Sequence, residues 1–181
     1  LVTPSVMAEE AEALALEYDM EFEILDVTMM EAMGMHALLA VGQGSIHPPC
    51  LVTIKYNGAG AAPYTAYVGK GITFDSGGIS IKPSDNMGEM KDDMAGAGAV
   101  LGALRAIAAL KIPCNVMGII ACAENMPSGS AQRPGDVVKA ANGKTIEVIS
   151  TDAEGRMVLA DSVWYACKQG ADKVVDIATL T

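Results

Sequence analysis

Two stretches of the sequence combine charged residues with glycines. The first runs from Tyr67 to Asp93: residues 67–82 read YVGKGITFDSGGISIK, and residues 90–93 read MKDD. In the second, residues 150–156 read STDAEGR. The first begins as an apolar, strand-like run and changes at Asp75 into a glycine-rich turn. Lysines, an arginine and carboxylates occur here at positions where the packing of a core would not require them. We therefore interpret the two stretches as the two halves of one metal site.

Strand-like and helix-like patterns alternate on both sides of these stretches. Apolar spacing predicts helices over residues 4–18, 28–41, 87–108 and 154–168, and strands over 22–27, 51–56, 66–73, 115–123 and 173–181. Thr28 and Glu31 form a capping-box pattern that would open the second helix. Asn142-Gly143 predicts a hairpin between residues 137–140 and 144–149. The alternation predicts an α/β fold with a mixed, mostly parallel sheet covered by helices on both faces.

Length and composition limit the number of domains and the classes of ligand that we expect for this protein. The 181 residues contain no repeat and no linker, so we predict a single domain over residues 1–181. Twelve basic and 22 acidic residues give a net charge of −10, which disfavours binding to nucleic acid. The four cysteines form no C-x-x-C pair, so we expect reduced thiols and a cytoplasmic protein. No apolar run approaches the length of a membrane span.

Two aspartates in the first half are candidate metal ligands. Asp75 follows a predicted strand, and Asp-Ser-Gly-Gly is also good turn chemistry, so a plain turn aspartate is the alternative. Asp93 borders an apolar helical stripe, three residues after Met90 and four before Ala97. A half-buried carboxylate in that place requires a cation or a hydrogen-bond donor.

The second half has both an ordinary and a functional interpretation. Thr151 and Glu154 fit a capping box, in which acidic residues are favourable at a helix N-terminus. Arg156 does not fit that account, because a cation in the first helical turn opposes the helix dipole. Its placement suggests that an anion binds there.

Two lysines belong to the same candidate site. Lys70 and Lys82 could be ordinary surface lysines. Lys70, however, sits in an apolar strand between Gly69 and Gly71, which let another group approach the backbone.

Other motifs in the sequence give weaker indications of function. Gly143-Lys144-Thr145 lacks the earlier glycine of a phosphate-binding loop, since Val138 stands in its place. His36 and His47 are not spaced as a zinc pair, and no G-x-S-x-G sequence occurs. A metal in this protein would therefore be held by oxygen atoms, with an amine as a further candidate ligand.

Several motifs together resemble the leucyl (cytosol) aminopeptidase family. They are Val68–Lys82 with Asp93, Asn125–Gly129, Arg133–Asp136 and Asn142–Thr145. Residues 150–156 match the family's signature Asn-Thr-Asp-Ala-Glu-Gly-Arg, except that Ser150 replaces the Asn. The resemblance is dense from Val68 to Thr181 and looser before Ala66.

The resemblance implies a hydrolase, a two-metal exopeptidase. One metal would be held by Lys70, Asp75, Asp93 and Glu154, and the other by Asp75, Asp152 and Glu154. Asp75 and Glu154 would therefore bridge the two ions. Hard oxygen ligands with one amine suit Zn²⁺ or Mn²⁺, with Mg²⁺ or Co²⁺ as further possibilities.

The resemblance also implies the remaining roles. Lys82 would support the scissile carbonyl and its developing negative charge. Arg156 would hold a bicarbonate that acts as general base. Met90, Thr179 and Leu180 match positions that line the substrate side-chain pocket.

The expected function is removal of N-terminal residues, leucine-like ones preferred, from peptides with a free N-terminus. Members of that family have a separate N-terminal domain and continue past Thr181. The continuation completes the sheet, closes the substrate pocket and contributes to a hexamer. We therefore expect residues 1–181 to be a truncated catalytic domain that is inactive alone. Nucleic acid and membrane are not expected partners. Two other functions remain open: a dinuclear-metal phosphoesterase and a non-catalytic scaffold.

Overall fold

The structure is a computed structural model that describes all 181 residues. Its helices are α1 (Pro4–Glu17), α2 (Val27–Ala32), α3 (His36–Gly42), α4 (Ala95–Ala109) and α5 (Glu154–Lys168), with a 3-10 helix over Met87–Asp92. Its strands are β1 (Glu21–Leu25), β2 (Cys50–Asn57), β3 (Tyr64–Asp75), β4 (Asn115–Asn125), β5 (Val137–Lys139), β6 (Thr145–Glu147) and β7 (Ala171–Ile177). None of these helices is long and apolar enough to cross a membrane.

Five strands form the main sheet in the order β1-β2-β4-β3-β7. The β1/β2 and β2/β4 pairs are antiparallel, whereas β3 is parallel to both β4 and β7. The prediction of an α/β fold with a mixed sheet is therefore confirmed, with parallel pairing confined to the β4-β3-β7 half. The predicted hairpin is the separate β5/β6 pair, and Gly143 supplies its positive φ of 84°.

Apolar side chains cover both faces of the sheet. Neighbouring residues on one strand point to opposite sides, so Leu51 enters one core and Val52 the other. The first core is closed by α2, α3 and α5, and the second by α1 and α4. Each fully buried Leu or Val contributes about 1.5–3 kcal/mol relative to an exposed one. The helices are thus fixed on the sheet, and with them the loops at the sheet's end.

The predicted helix over residues 28–41 is two helices. Asp26, rather than Thr28, caps the first, because its Oδ1 accepts a hydrogen bond of 2.8 Å from Met29 N. Gly34 has a φ of 72°, a conformation that ends a helix at little steric cost. The capping-box prediction at Thr28 was therefore wrong by two residues, since aspartate is as good a cap as threonine.

The predicted helix over residues 87–108 is also divided. A 3-10 helix ends at Asp92 and α4 begins at Ala95. The three-residue spacing of Met87 and Met90 fits a 3-10 helix as well as an α-helix, so the pattern could not separate them. Asp93 consequently lies at the joint between the two helices.

Candidate metal centre

One cleft of about 570 Å³ opens at the carboxyl end of β3. The carboxyl ends of parallel strands are where α/β folds usually form their binding sites. Ten of the eleven lining residues are those that the sequence analysis selected: Lys70, Asp75, Lys82, Met90, Asp93, Asp152, Glu154, Arg156, Thr179 and Leu180. The eleventh is Thr181.

A bulge in β3 brings Lys70 and Asp75 to the same cleft. Residues five apart on a regular strand point to opposite faces of the sheet. The register with β4 shifts between Ile72 and Asp75, which adds one residue to the β3 side. Both side chains, each 3% exposed, therefore line the cleft.

Lys70 lies among oxygen atoms. Its Nζ is 2.8 Å from Asp93 Oδ1 and 2.8 Å from Glu154 Oε1. The same Nζ donates to the carbonyl oxygen of Thr179 at 2.6 Å. The alternative that Lys70 is a surface lysine is wrong.

Lys82 approaches the other side of the carboxylate cluster. Its Nζ is 2.9 Å from Asp75 Oδ2 and also contacts Asp152 Oδ1. Burial opposes the charged ammonium, but hydrogen bonds to Asp152 and Asp75 outweigh it and raise the pKa of Lys82. Lys82 is therefore a cation beside these two carboxylates.

The cluster leaves buried oxygen atoms without partners. Oxygens of Asp75, Asp93 and Glu154 lie within 4.8 Å of one another. Asp93 Oδ2 and Glu154 Oε2 are buried and accept no hydrogen bond. An unsatisfied buried acceptor costs about 1–3 kcal/mol, and more when it is charged. Converging carboxylates beside an amine are a donor set for hard or borderline divalent cations, so these residues fit the metals that the sequence suggested.

Two carboxylates of the cluster, Asp93 and Glu154, have pKa values raised above the ordinary ones. Burial and the nearby charge of Asp75 raise the pKa of Glu154 to about 7. Burial likewise raises the pKa of Asp93, although hydrogen bonds from Lys70 and Thr179 act in the opposite direction. Both groups therefore hold protons more tightly than exposed carboxylates do.

We expect the metal-free protein to lose stability as pH rises from about 4.5, the ordinary value, to about 7. Folded Glu154 binds its proton more tightly than unfolded Glu154, so the folded state binds more protons in this interval and unfolding becomes easier as they leave. The slope is at most about 1.4 kcal/mol per pH unit. Urea unfolding with a chelator measures it. Glu154→Gln should flatten the slope, and an equal slope in this variant would contradict the assignment.

Thr151 does not cap α5. The residue preceding the helix is Ala153, and no side chain caps the helix there. Thr151 Oγ1 instead donates to Gly77 O at 2.6 Å and accepts from Ser80 N at 2.8 Å. The capping-box interpretation was wrong because Thr151 holds the loop that carries Lys82.

Arg156 lies in the first turn of α5 and is exposed. It forms no ion pair with any carboxylate, although it lines the acidic cleft. The guanidinium therefore adds to the positive end of the helix, a combination that attracts an anion.

The last strand is shorter than predicted, ending at Ile177 rather than at Thr181. Thr179 and Leu180 leave the sheet because polar groups of the cleft hold this segment. Thr179 Oγ1 donates to Asp93 Oδ1 at 2.6 Å, and its carbonyl oxygen accepts from Lys70. Leu180 is 49% exposed, while Met90 enters the cleft from the 3-10 helix.

Asn125 is a buried polar residue to which the sequence analysis gave no role. It ends β4 beside the end of β3, and its Nδ2 donates to Asp75 Oδ1 at 2.8 Å. An amide two residues after the apolar run 116–123, at the carboxyl end of the strand, was the available signal.

Comparison with known proteins shows the family to which the chain belongs. The protein-family model described as "Cytosol aminopeptidase family, catalytic domain" matches residues 1–181. The chain is 54% identical to a probable cytosol aminopeptidase of Solibacter usitatus, covering 100% of the chain and 38% of that protein. It is 53% identical to one of Azotobacter vinelandii and 50% identical to one of Alkaliphilus metalliredigens, again over 100% of the chain but 37% and 36% of those proteins.

The chain thus spans little more than a third of the length of these relatives. The family match, in contrast, extends over all of its residues. The chain belongs to the cytosol aminopeptidase family of metallopeptidases, and its residues match the family's catalytic domain.

Proposed function

We propose that the protein is a two-metal aminopeptidase that releases N-terminal residues, leucine-like ones preferred, from peptides. The observation that carries the proposal is the convergence of five metal-ligand candidates, Lys82 and Arg156 on one cleft, with two buried carboxylate oxygens lacking partners. Core packing gives no reason for such an arrangement.

Five residues would hold the metals. Lys70, Asp75, Asp93 and Glu154 would bind one ion, and Asp75, Asp152 and Glu154 the other. The bound ions, Zn²⁺ or Mn²⁺ with Mg²⁺ or Co²⁺ also compatible, would polarise the scissile carbonyl and activate water. Asp75 and Glu154 suit the bridging role because both are buried and the charge of Asp75 acts on Glu154.

Lys82 would bind the substrate's carbonyl oxygen as negative charge develops there. Its ammonium is already charged and partly exposed, with 21% of its side chain accessible. A preorganised cation aimed at developing charge lowers the barrier because it needs no rearrangement during the reaction.

The remaining residues would orient the peptide. Met90 and Leu180 offer apolar contacts within the cleft, which suits a leucine-like side chain, and Thr179 lies between Lys70 and Asp93. The −10 charge supports peptides rather than nucleic acid as ligands. A cytoplasmic location and a homo-hexamer of the whole protein complete the proposal.

Arg156 would hold a bicarbonate that acts as general base. Replacing it with Ala should lower kcat by roughly 10²–10⁴-fold, the usual contribution of a positioned acid or base. Both metals should remain, since Arg156 contacts none of the carboxylates. Kinetics with and without bicarbonate, together with metal analysis, measure this. Unchanged activity of Arg156→Ala in bicarbonate-free buffer would contradict the role.

The test of the function is an assay of the whole protein on a leucine anilide beside a phosphate ester, with and without a chelator. We expect metal-dependent release of the amino acid and no phosphatase activity. We also expect residues 1–181 alone to be inactive, so the whole protein is the required sample. Phosphatase activity would favour a phosphoesterase. Absence of metal binding would favour a scaffold.

A further inference from the structure

Asn125 joins three segments of the chain behind the metal centre. It is 1% exposed and uses both protons of its side-chain amide. One hydrogen bond reaches Asp75 Oδ1 at 2.8 Å, and the other reaches the carbonyl oxygen of Thr151 at 3.0 Å. Asp75 ends β3, and Thr151 directly precedes Asp152. The amide therefore connects the two halves of the site.

The backbone of Asn125 makes the same connection. Its carbonyl oxygen accepts from Ser76 N at 3.0 Å and from Ser76 Oγ at 2.7 Å. The side chain of Asn125 is thus bonded to Asp75 and its backbone to Ser76, both at the carboxyl end of β3. A shift of Asn125 would consequently move Asp75 as well as the segment leading to Glu154.

Close packing keeps the amide in place. Gly78 has a φ of 69°, and a Cβ on it would lie 2.8 Å from Asn125 Oδ1 and 3.0 Å from Thr151 Oγ1. No side chain fits between this loop and the amide. Because the loop at Gly78 packs this closely, the side-chain amide of Asn125 cannot rotate away from Asp75.

We propose that Asn125 is a positioning residue that selects which oxygen of Asp75 faces the metals and holds the Thr151–Glu154 segment at the distance that two ions require. The inference rests on the proposed function. The terminal torsion of an aspartate is broad, so a carboxylate needs fixed donors to keep one orientation. Asn125 and Gly77 N both donate to Oδ1, which leaves Oδ2 directed at the cleft beside Lys82.

The matched control is Asn115, at the other end of the same strand. It is 3% exposed, and its Nδ2 also donates two hydrogen bonds, to Gly60 O at 2.8 Å and Ala62 O at 2.7 Å. It does not line the cleft. Its Oδ1 also accepts from Ala59 N at 2.9 Å. Asn115→Leu therefore removes a similarly buried amide, with one hydrogen bond more than that of Asn125, without touching the metal centre.

The experiment titrates Mn²⁺ into the metal-free whole protein by calorimetry. We expect Asn125→Leu to weaken binding of at least one ion by about 10- to 100-fold, the usual effect of removing a group that orients a ligand. Asn115→Leu should lower the melting temperature at least as much as Asn125→Leu does, because it loses one more hydrogen bond, and it should bind both ions with unchanged affinity. If either leucine variant fails to fold, Asn125→Ser and Asn115→Ser, which keep a polar group, carry the same comparison.

The outcomes separate the inference from the proposed function. Unmutated protein that binds no Mn²⁺ would overturn both. Unmutated protein that binds two ions, with Asn125→Leu and Asn115→Leu equal to it in affinity, would overturn the positioning role alone. Equal weakening in both variants would also overturn it, because the effect would then come from general destabilisation.

Discussion

Asp75→Asn is expected to lose both metal ions and all measurable peptidase activity. Asp75 Oδ1 already accepts from Gly77 N and Asn125 Nδ2, so the carbonyl oxygen of the new amide would take that place. The new NH₂ group would then face Lys82 Nζ, which now lies 2.9 Å from Asp75 Oδ2. Two donors would meet there, and a bridging ligand would be lost.

Two comparisons make this result specific. Asp161 is another buried aspartate, which accepts from Leu38 N and Ala141 N and does not line the cleft. Asp161→Asn should lower the melting temperature but keep both ions. Asp152→Asn should lose mainly one ion, because Asp152 would serve one metal only. Metal analysis of the three variants decides, and two tightly bound ions in Asp75→Asn would refute the bridging role.

The residue types of the site were predictable because they conflict with ordinary packing. Burying a lysine within an apolar strand, or an aspartate beside an apolar stripe, costs free energy of folding unless each has a charged or hydrogen-bonding partner. The structure supplies those partners, since Lys70 lies 2.8 Å from both Asp93 and Glu154. Burial cost therefore pointed to Lys70 and Asp93. The roles of the other site residues were inferred from the resemblance to the aminopeptidase family.

The geometry between these residues was less predictable. The bulge between Ile72 and Asp75 depends on pairing with β4, whose residues lie about 50 positions later in the chain. Thr151 fits a local capping box, yet its hydroxyl bonds to Gly77, 74 residues away. Local patterns describe local hydrogen bonds, and tertiary contacts override them where a functional loop needs an anchor.

The predicted ends of helices and strands differed from the observed ones for a related reason. Asp26 and Thr28 are comparable caps by residue type. In the structure Asp26 Oδ1 accepts from Met29 N, and Met30 in the same helix is buried in the first core. Similarly, the early end of β7 follows from the contacts of Thr179 with Lys70 and Asp93. The fold class depends on the overall alternation of patterns, whereas each boundary depends on a single contact.

The two lysines of the site should respond in opposite ways to arginine. An amine binds a metal through its lone pair, so Lys70 can be a ligand only without its proton, whereas Lys82 is useful as a cation. Arginine stays protonated, so it can replace the second lysine but not the first. Steric crowding around Lys70 also disfavours an arginine at that position. Lys70 is 3% exposed, and its Cε lies 2.9 Å from where a Cβ on Gly155 would be.

Lys70→Arg should therefore place a permanent charge and a larger group against Asp93 and Glu154, empty at least one metal position and abolish turnover. Lys82→Arg should keep both ions and part of the activity, because the partly exposed side chain of Lys82 has room for a guanidinium near Asp75 and Asp152. Metal content and turnover of the two whole-protein variants, measured side by side, test this. The assigned roles are reversed if Lys70→Arg keeps two metals and works while Lys82→Arg loses one.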